Sequence, residues 1–343
     1  MTSMAAHPVT DASQVAEPRR AAQALTRRLD FPEETTGRAA LIVTELGTNL
    51  AKHARGGEIL LQPVADDLDG TDGIEILALD RGPGMTDLAI SRRNGYSTAG
   101  TLGHGLGAVE RQADQMDLFT HGSGTAVLAR VWRERPPRPQ TLARYEIGAV
   151  RVPKPGEIVC GDACAWRRRE GRIAILVADG LGHGLPAHDA ADAAIRTFGR
   201  THEFPPERVI LEAHDALKAT RGAAIASMAI DLERNIARFA GLGNISGAIL
   251  LPDGRRQNMV SHNGTAGHHA ARIQEFTYQV PRSSIVVLCS DGLASQWNIA
   301  AYPGLQSHSA SLVAGVLYRD FSRRRDDVTI VVAKERPAAT EKL

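Results

Sequence analysis

The sequence predicts two mixed α/β domains, a fold class read from three observations. The chain has 343 residues, above the usual single-domain size, and 43% of them are hydrophobic, enough to build sizeable cores. A stiff, charged stretch, Glu134-Arg135-Pro136-Pro137-Arg138-Pro139-Gln140, reads as a connector. On either side of it, apolar runs of strand character end in aspartate and lead into segments that can open helices. The predicted organisation is a loose tail over 1–13, a first domain over 14–133, a linker over 134–143, a second domain over 144–335 and a tail over 336–343.

In the first domain, Pro32 to Ala54 reads as one helix. Glu33 and Glu34 enrich its first turn and Gly56-Gly57 stop it. Glu45 and Asn49 lie four apart, so both project from one face and call for polar partners such as a ligand pocket supplies. A strand from about Glu58 to Val64, a polar loop and a strand from Ile74 to Leu79 follow, the last ending at Asp80-Arg81-Gly82-Pro83-Gly84. A long Gly- and Ser-containing stretch reaches Gly103-His104-Gly105-Leu106-Gly107 and opens a helix, a pattern that lets backbone N–H groups approach an anion. Gly124-Thr125 then enters a strand.

The second domain carries four aspartates at strand ends or edges: Asp162, Asp179, Asp291 and Asp326. A hairpin centred on Arg167–Gly171 lays Asp162 beside Val177 and close to Asp179. One Asp-Gly alone reads as a turn. The repeated arrangement, an apolar run, Asp-Gly and a helix opening, asks for more than turns. Gathered carboxylates repel one another and need a cation, and an all-oxygen set suits Mg²⁺ or Mn²⁺ better than zinc. His183, close to Asp179 and Gly180, reads either as a general acid or as a helix-start residue that only hydrogen-bonds the backbone. His262 is a weaker candidate acid, and the His268-His269 pair reads as solvated.

These residues resemble two families. Thr44 to Ala54 and Gly103 to Ala108, with the Asp80-x-Gly-x-Gly strand end between them, look like the GHKL (Bergerat) ATPase fold, nearest its RsbT-like anti-sigma switch serine kinases. The resemblance implies an α/β sandwich binding ATP with Mg²⁺. Asn49 would hold the Mg²⁺ and Glu45 would act as base or water-positioner. Asp80 would read the adenine amino group, with Gly82, Gly84 and Thr125 beside it, and Gly103, Gly105 and Gly107 would line the phosphates. Gly161-Asp162, Ala178 to Gly184, Gly243 to Ser246, His262 to Gly264, Ser290 to Gly292 and Asp326 to Thr329 resemble the metal-dependent type 2C (PPM) protein phosphatases of the SpoIIE-like and RsbX-like branch. That resemblance implies an α-β-β-α sandwich with a two-metal Mn²⁺ or Mg²⁺ centre. Asp179 would bridge the ions, the Gly180 carbonyl would assist, Asp291 and Asp326 would complete one ion, and Asp162 would bind a metal or its water. Animal members carry Glu-Asp where this chain has Gly161-Asp162, so the ligand count on one metal is open.

Together the resemblances imply a bifunctional signalling protein acting on a phosphorylated STAS-domain antagonist, of the stressosome or sigma-factor partner-switching kind. The alternative is that the N-terminal domain only binds, using ATP to hold a sigma factor or STAS protein, and the phosphatase alone is an enzyme. With 40 basic against 39 acidic residues, net charge gives no reason to expect nucleic acid or an anionic membrane as partner. No apolar run is long enough to span a bilayer, no signal pattern opens the chain, and Cys160, Cys164 and Cys289 read as unpaired core residues, so a cytoplasmic location is expected.

Overall fold

The computed structural model describes residues 4–54, 56–65, 70–85, 104–134, 145–169, 171–201, 204–270 and 272–336. The described residues fall into two compact units, and the division is not one cut. Tyr145–Ala300 groups with Asp320–Glu335, whereas Thr2–Arg144 groups with Ala301–Arg319.

The N-terminal unit runs β1 (Ala5–Val9), α1 (Ala16–Arg28), α2 (Glu33–His53), β2 (Gly57–Ala65), β3 (Asp72–Asp80), α3 (His104–Gln112), β4 (Gln115–His121) and β5 (Gly124–Trp132). Its five strands form an antiparallel sheet in the order β1-β2-β3-β5-β4. Strand alternation sorts the side chains by face. Ile59, Leu61, Ile74 and Ile76 meet Ile42, Leu46 and Leu50 of α2 in one core, while Leu60, Leu77 and Leu79 point the other way and are equally buried. The expected loose tail over 1–13 is corrected from residue 4 on, residues 1–3 lying outside the described residues. Ala5–Val9 pairs residue by residue with Gly57–Leu61, and Met4 and Val9 are buried. An edge of β2 with unsatisfied backbone groups gives this segment a partner that its own short pattern does not announce.

The second unit continues with β6 (Tyr145–Val152), β7 (Asp162–Arg169), β8 (Arg172–Gly180), α4 (Leu185–Arg200), α5 (Pro206–Ala216), β9 (Ala223–Asp231), β10 (Ile236–Leu242), β11 (Ser246–Leu250), β12 (Arg256–Asn258), β13 (Phe276–Gln279) and β14 (Ile285–Cys289); after α6 (Ala310–Phe321), β15 (Val328–Glu335) completes it. Two antiparallel sheets result, β13-β10-β9-β8-β7 and β12-β11-β14-β15-β6. Along β8, Ile173, Ile175 and Val177 enter the core between the sheets with Phe239, Leu288 and Val331. Ala174, Leu176 and Ala178 face α4 and α5 through Ala191, Phe198 and Ile210. All three cysteines are free and buried there, and burial pushes the Cys289 thiol up to about 12.

The segment 301–319 packs in the N-terminal unit, on the sheet face opposite α2. Every residue from Ala310 to Arg319 is buried, as expected of a helix with no polar side. A Cβ on Gly315 would lie 3.3 Å from methyls of Leu77 and Leu79, so glycine sets how near the helix comes. Polar contacts fix its register. His308 Nδ1 lies 2.7 Å from Asp117 Oδ1, Arg130 donates to Ser311 Oγ at 2.9 Å, Tyr318 donates to Glu58 at 3.1 Å, and Arg81 donates to the Arg319 carbonyl. Among the described residues, no helix is long and apolar enough to cross a membrane.

Candidate functional site

The phosphatase-like centre is built on the β7–β8 hairpin. Asp162 and Asp179 are directly paired across it, and Arg169 pairs with Arg172 around the left-handed Gly171 (φ +70°). The expected pairing of Asp162 with Val177 is thereby corrected by two residues. The tight turn sits one residue further along than the centre of the polar run, and a shift of two keeps every side chain on its expected face. Gly180 admits α4: a Cβ there would lie 2.0 Å from the Ala187 carbonyl oxygen.

Hydrogen bonds hold the surrounding oxygens. Ser290 Oγ donates to Asp162 Oδ2 at 2.6 Å, Asn244 donates to Asp291 Oδ2 at 2.8 Å, and the Lys154 N–H donates to Asp327 Oδ1 at 2.9 Å. Asp162 and Asp327 are buried, Asp179 and Asp291 partly so, and Asp326 is exposed at the rim, where it accepts the N–H of Asp327 at 3.0 Å. Burial raises the Asp179 pKa well above the ordinary carboxylate range, and the charges of Asp162, Asp291, Asp326 and Asp327 add to that rise. Burial likewise raises Asp162, against the bond from Ser290. Asp162 Oδ1 and Asp327 Oδ2 are buried without a hydrogen-bond partner among the described residues.

That pattern fits a cation. Five carboxylates raise one another's energy, and two buried oxygens have unspent lone pairs, which is the donor set that hard divalent ions take. Among the described residues no three His, Cys, Asp or Glu side chains converge into a ready-made cage. Asp327 is a member of this cluster that sequence reading missed; it is buried, whereas its neighbour Asp326, expected from the sequence, is exposed. His183 Nδ1 sits 2.6 Å from Glu157 Oε1, while Gly184 occupies the helix cap without a side-chain bond. The reading in which His183 only bonds the backbone therefore gives way to a carboxylate-paired imidazole, and Glu157 is a second residue the sequence did not reveal. His262 stacks at a tilt against Phe276, and His268 and His269 are exposed.

In the N-terminal unit, α2 presents Glu45 and Asn49 to the start of α3. A Cβ on Gly105 would come within 2.9 Å of Glu45 Oε2 and 3.3 Å of Asn49 Oδ1. Asp80, buried at the end of β3, accepts from the N–H groups of Gly82 at 2.8 Å and Thr125 at 3.1 Å through the same oxygen, Oδ1. Burial raises its pKa, countered by those two N–H groups. Gly84 adopts φ +74° with its Cβ position 2.4 Å from the His121 carbonyl oxygen, so glycine is required there. Gly107 lies in α3. Gly103 and the long Gly- and Ser-containing stretch before it lie outside the described residues.

Comparison with known proteins finds a different family in each half of the chain, and the second match runs through 301–319, the segment that packs in the N-terminal unit. The family "Histidine kinase-like ATPase domain" matches residues 9–131, and "Stage II sporulation protein E (SpoIIE)" matches residues 169–336. "Serine/threonine-protein kinase RsbT" of Bacillus subtilis (strain 168) is 35% identical over 109 residues, which are 32% of this chain and 80% of the relative. "Phosphoserine phosphatase RsbX" of the same organism is 24% identical over 187 residues, 53% of this chain and 90% of the relative. A solved structure described as "The bacterial stressosome: a modular system that has been adapted to control secondary messenger signaling" aligns with a TM-score of 0.51 at 28% identity, covering 56% of this chain and all of that one. The chain therefore belongs, through its N-terminal part, to the histidine kinase-like ATPase family with RsbT, and its C-terminal part is a SpoIIE-type serine/threonine phosphatase domain homologous to RsbX.

Proposed function

We propose that this protein sets the phosphorylation state of a partner-switching protein of the STAS type, removing phosphate from serine or threonine at the C-terminal centre with Mn²⁺ or Mg²⁺, and binding ATP with Mg²⁺ for phosphoryl transfer at the N-terminal one. The observation that carries the phosphatase half is the direct pairing of Asp162 with Asp179, ringed by Asp291, Asp326 and Asp327. Asp162, Asp179, Asp291 and Asp326 would hold the metal, with the Gly180 carbonyl and Asp327 beside them. Bound divalent ions supply the Lewis acidity that activates water and stabilises the departing oxygen. Glu157 Oε1 lies 2.6 Å from His183 Nδ1 and so orients the imidazole, whose Nε2 would give the proton to the leaving serine alkoxide.

For the N-terminal centre, support comes from Gly105 seated against Glu45 and Asn49, with Asp80 anchored on one oxygen and its other oxygen available to an exocyclic amine. Asn49 would hold the Mg²⁺ of the nucleotide and Glu45 would orient the attacking hydroxyl. The test is transfer of label from ATP to a STAS protein encoded nearby, using the Asp179→Asn variant so that product persists. Label on serine or threonine that vanishes with Asn49→Ala supports both activities. ATP binding without transfer leaves a nucleotide-dependent binding module joined to a phosphatase.

A further inference from the structure

Arg221 stands in the short turn between α5 and β9. It is exposed, and its guanidinium makes no hydrogen bond or ion pair among the described residues. The backbone that follows it is tied to the active-centre loop. Leu181 donates its N–H to the Gly222 carbonyl at 3.0 Å, Gly180 pairs with Ala223 in the sheet, and Arg221 Nη1 lies 3.3 Å from where a Cβ on Gly182 would be. The guanidinium thus lies beside the loop Asp179-Gly180-Leu181-Gly182-His183, with its five donors unspent among the described residues.

A phosphate monoester entering this centre meets five carboxylates. Metal ions offset part of that repulsion, but the outer phosphate oxygens still need donors in a water-poor setting. A guanidinium matches two phosphate oxygens with parallel N–H bonds, which a point charge does not. This loop and the segments next to it also expose apolar surface. Leu181 is 45% exposed, Leu185 60% and Ile158, next to the His183 partner Glu157, 93%. These are half of the large hydrophobic side chains found exposed among the described residues, concentrated around one centre, which marks a contact surface.

We infer that Arg221 receives the phosphate of a phosphorylated polypeptide, and that Ile158, Leu181 and Leu185 receive apolar side chains flanking the phosphoresidue, so that this lip selects phosphoprotein over small phosphomonoesters. The inference rests on the phosphatase reading of the centre. Arg323 and Arg325, exposed beside Asp326, attract an anion from a distance, and that effect fades with salt; a bidentate contact at Arg221 persists.

The experiment uses the full chain with Mn²⁺, p-nitrophenyl phosphate and a ten-residue phosphoserine peptide with leucine flanks. Arg221→Ala is expected to raise KM for the peptide about tenfold or more with kcat within about threefold, at low and high salt alike, and Arg221→Lys to recover part of it. Arg325→Ala is expected to matter only at low salt. Leu181→Ser with Leu185→Ser is expected to raise KM for the peptide and leave that for p-nitrophenyl phosphate unchanged. Unaltered peptide KM in Arg221→Ala, or an equal effect of the leucine changes on both substrates, overturns the inference while the phosphatase reading stands. Should the wild-type chain release no phosphate, that reading falls. Anisotropy with the phosphorylated and unphosphorylated peptide then decides separately: preference for phosphate lost in Arg221→Ala supports the assignment, and preference retained overturns it.

Discussion

Ser290 binds Asp162 at 2.6 Å through its hydroxyl while that same oxygen accepts the N–H of Thr329 at 2.9 Å. The buried carboxylate is thereby tied to the strand that follows Asp326 and Asp327. Ser290→Ala leaves a buried N–H and a buried carboxylate oxygen without this partner, at a cost of about 1–3 kcal/mol in denaturant unfolding. It is also expected to weaken Mn²⁺ binding by about 10–100-fold in calorimetry, since the hydroxyl orients Asp162, proposed above as a ligand. Unchanged metal affinity would show that Asp162 stands outside the metal set.

Divalent metal should stabilise the chain. At a Mn²⁺ concentration about 100 times its Kd, binding to the native state alone adds about 2.7 kcal/mol, read as a higher thermal midpoint than in EDTA. Asp179→Asn should lose this gain together with phosphatase activity, while its far-UV spectrum stays native. An equal metal response in wild type and variant removes Asp179 from the centre.

Acid stability should report the contact of Asp117 with His308. Burial pushes the Asp117 carboxyl up, but the hydrogen bond and charge of His308 and the N–H of Ser309 outweigh it and hold the group at about 2, against an ordinary 3.8. A folded pKa below the unfolded one gives stability that is present above about pH 4 and lost as pH falls through 2; the shift corresponds to about 2 kcal/mol. Asp117→Asn should flatten that part of the pH–stability curve, measured by urea unfolding between pH 2 and 5.

A side chain at Gly105 would enter the space of Glu45 and Asn49. Gly105→Val is expected to lower ATP affinity by about tenfold or more in calorimetry, and to leave Mn²⁺-dependent phosphatase activity on p-nitrophenyl phosphate largely intact. Loss of both would mean that the substitution disturbs folding instead of a nucleotide pocket.

Gly315 offers a packing test. Gly315→Ala places a methyl 3.3 Å from Leu77 and Leu79, whose side-chain ends can yield. Gly315→Leu has no such room and should cost about 1–3 kcal/mol in thermal or denaturant unfolding. A neutral Gly315→Leu would show that α6 does not rest on this sheet.

Strand and helix placement was legible because period and punctuation agree. The expected helix Pro32 to Ala54 is seen as Glu33–His53, and the strand Ile74 to Leu79 as Asp72–Asp80. The Asp162–Asp179 meeting was legible from the flanking apolar runs, though its register depended on where Gly171 turns. Asp327, Glu157 and Arg221 were not legible. Each gains its meaning from burial, a contact or a free guanidinium that only the folded neighbourhood defines. Nor could the pairing of Ala5–Val9 be read from five residues whose partner is a distant strand edge.

The placement of α6 has a bearing on inheritance. A gene cut at the proline-rich stretch would leave one product with Leu60, Leu77 and Leu79 bare and the other with an apolar helix separated from its seat. Exchange of either half as a ready-made module is therefore penalised. Recombination should keep residues 301–319 on the same heritable piece as the kinase-like half that they complete.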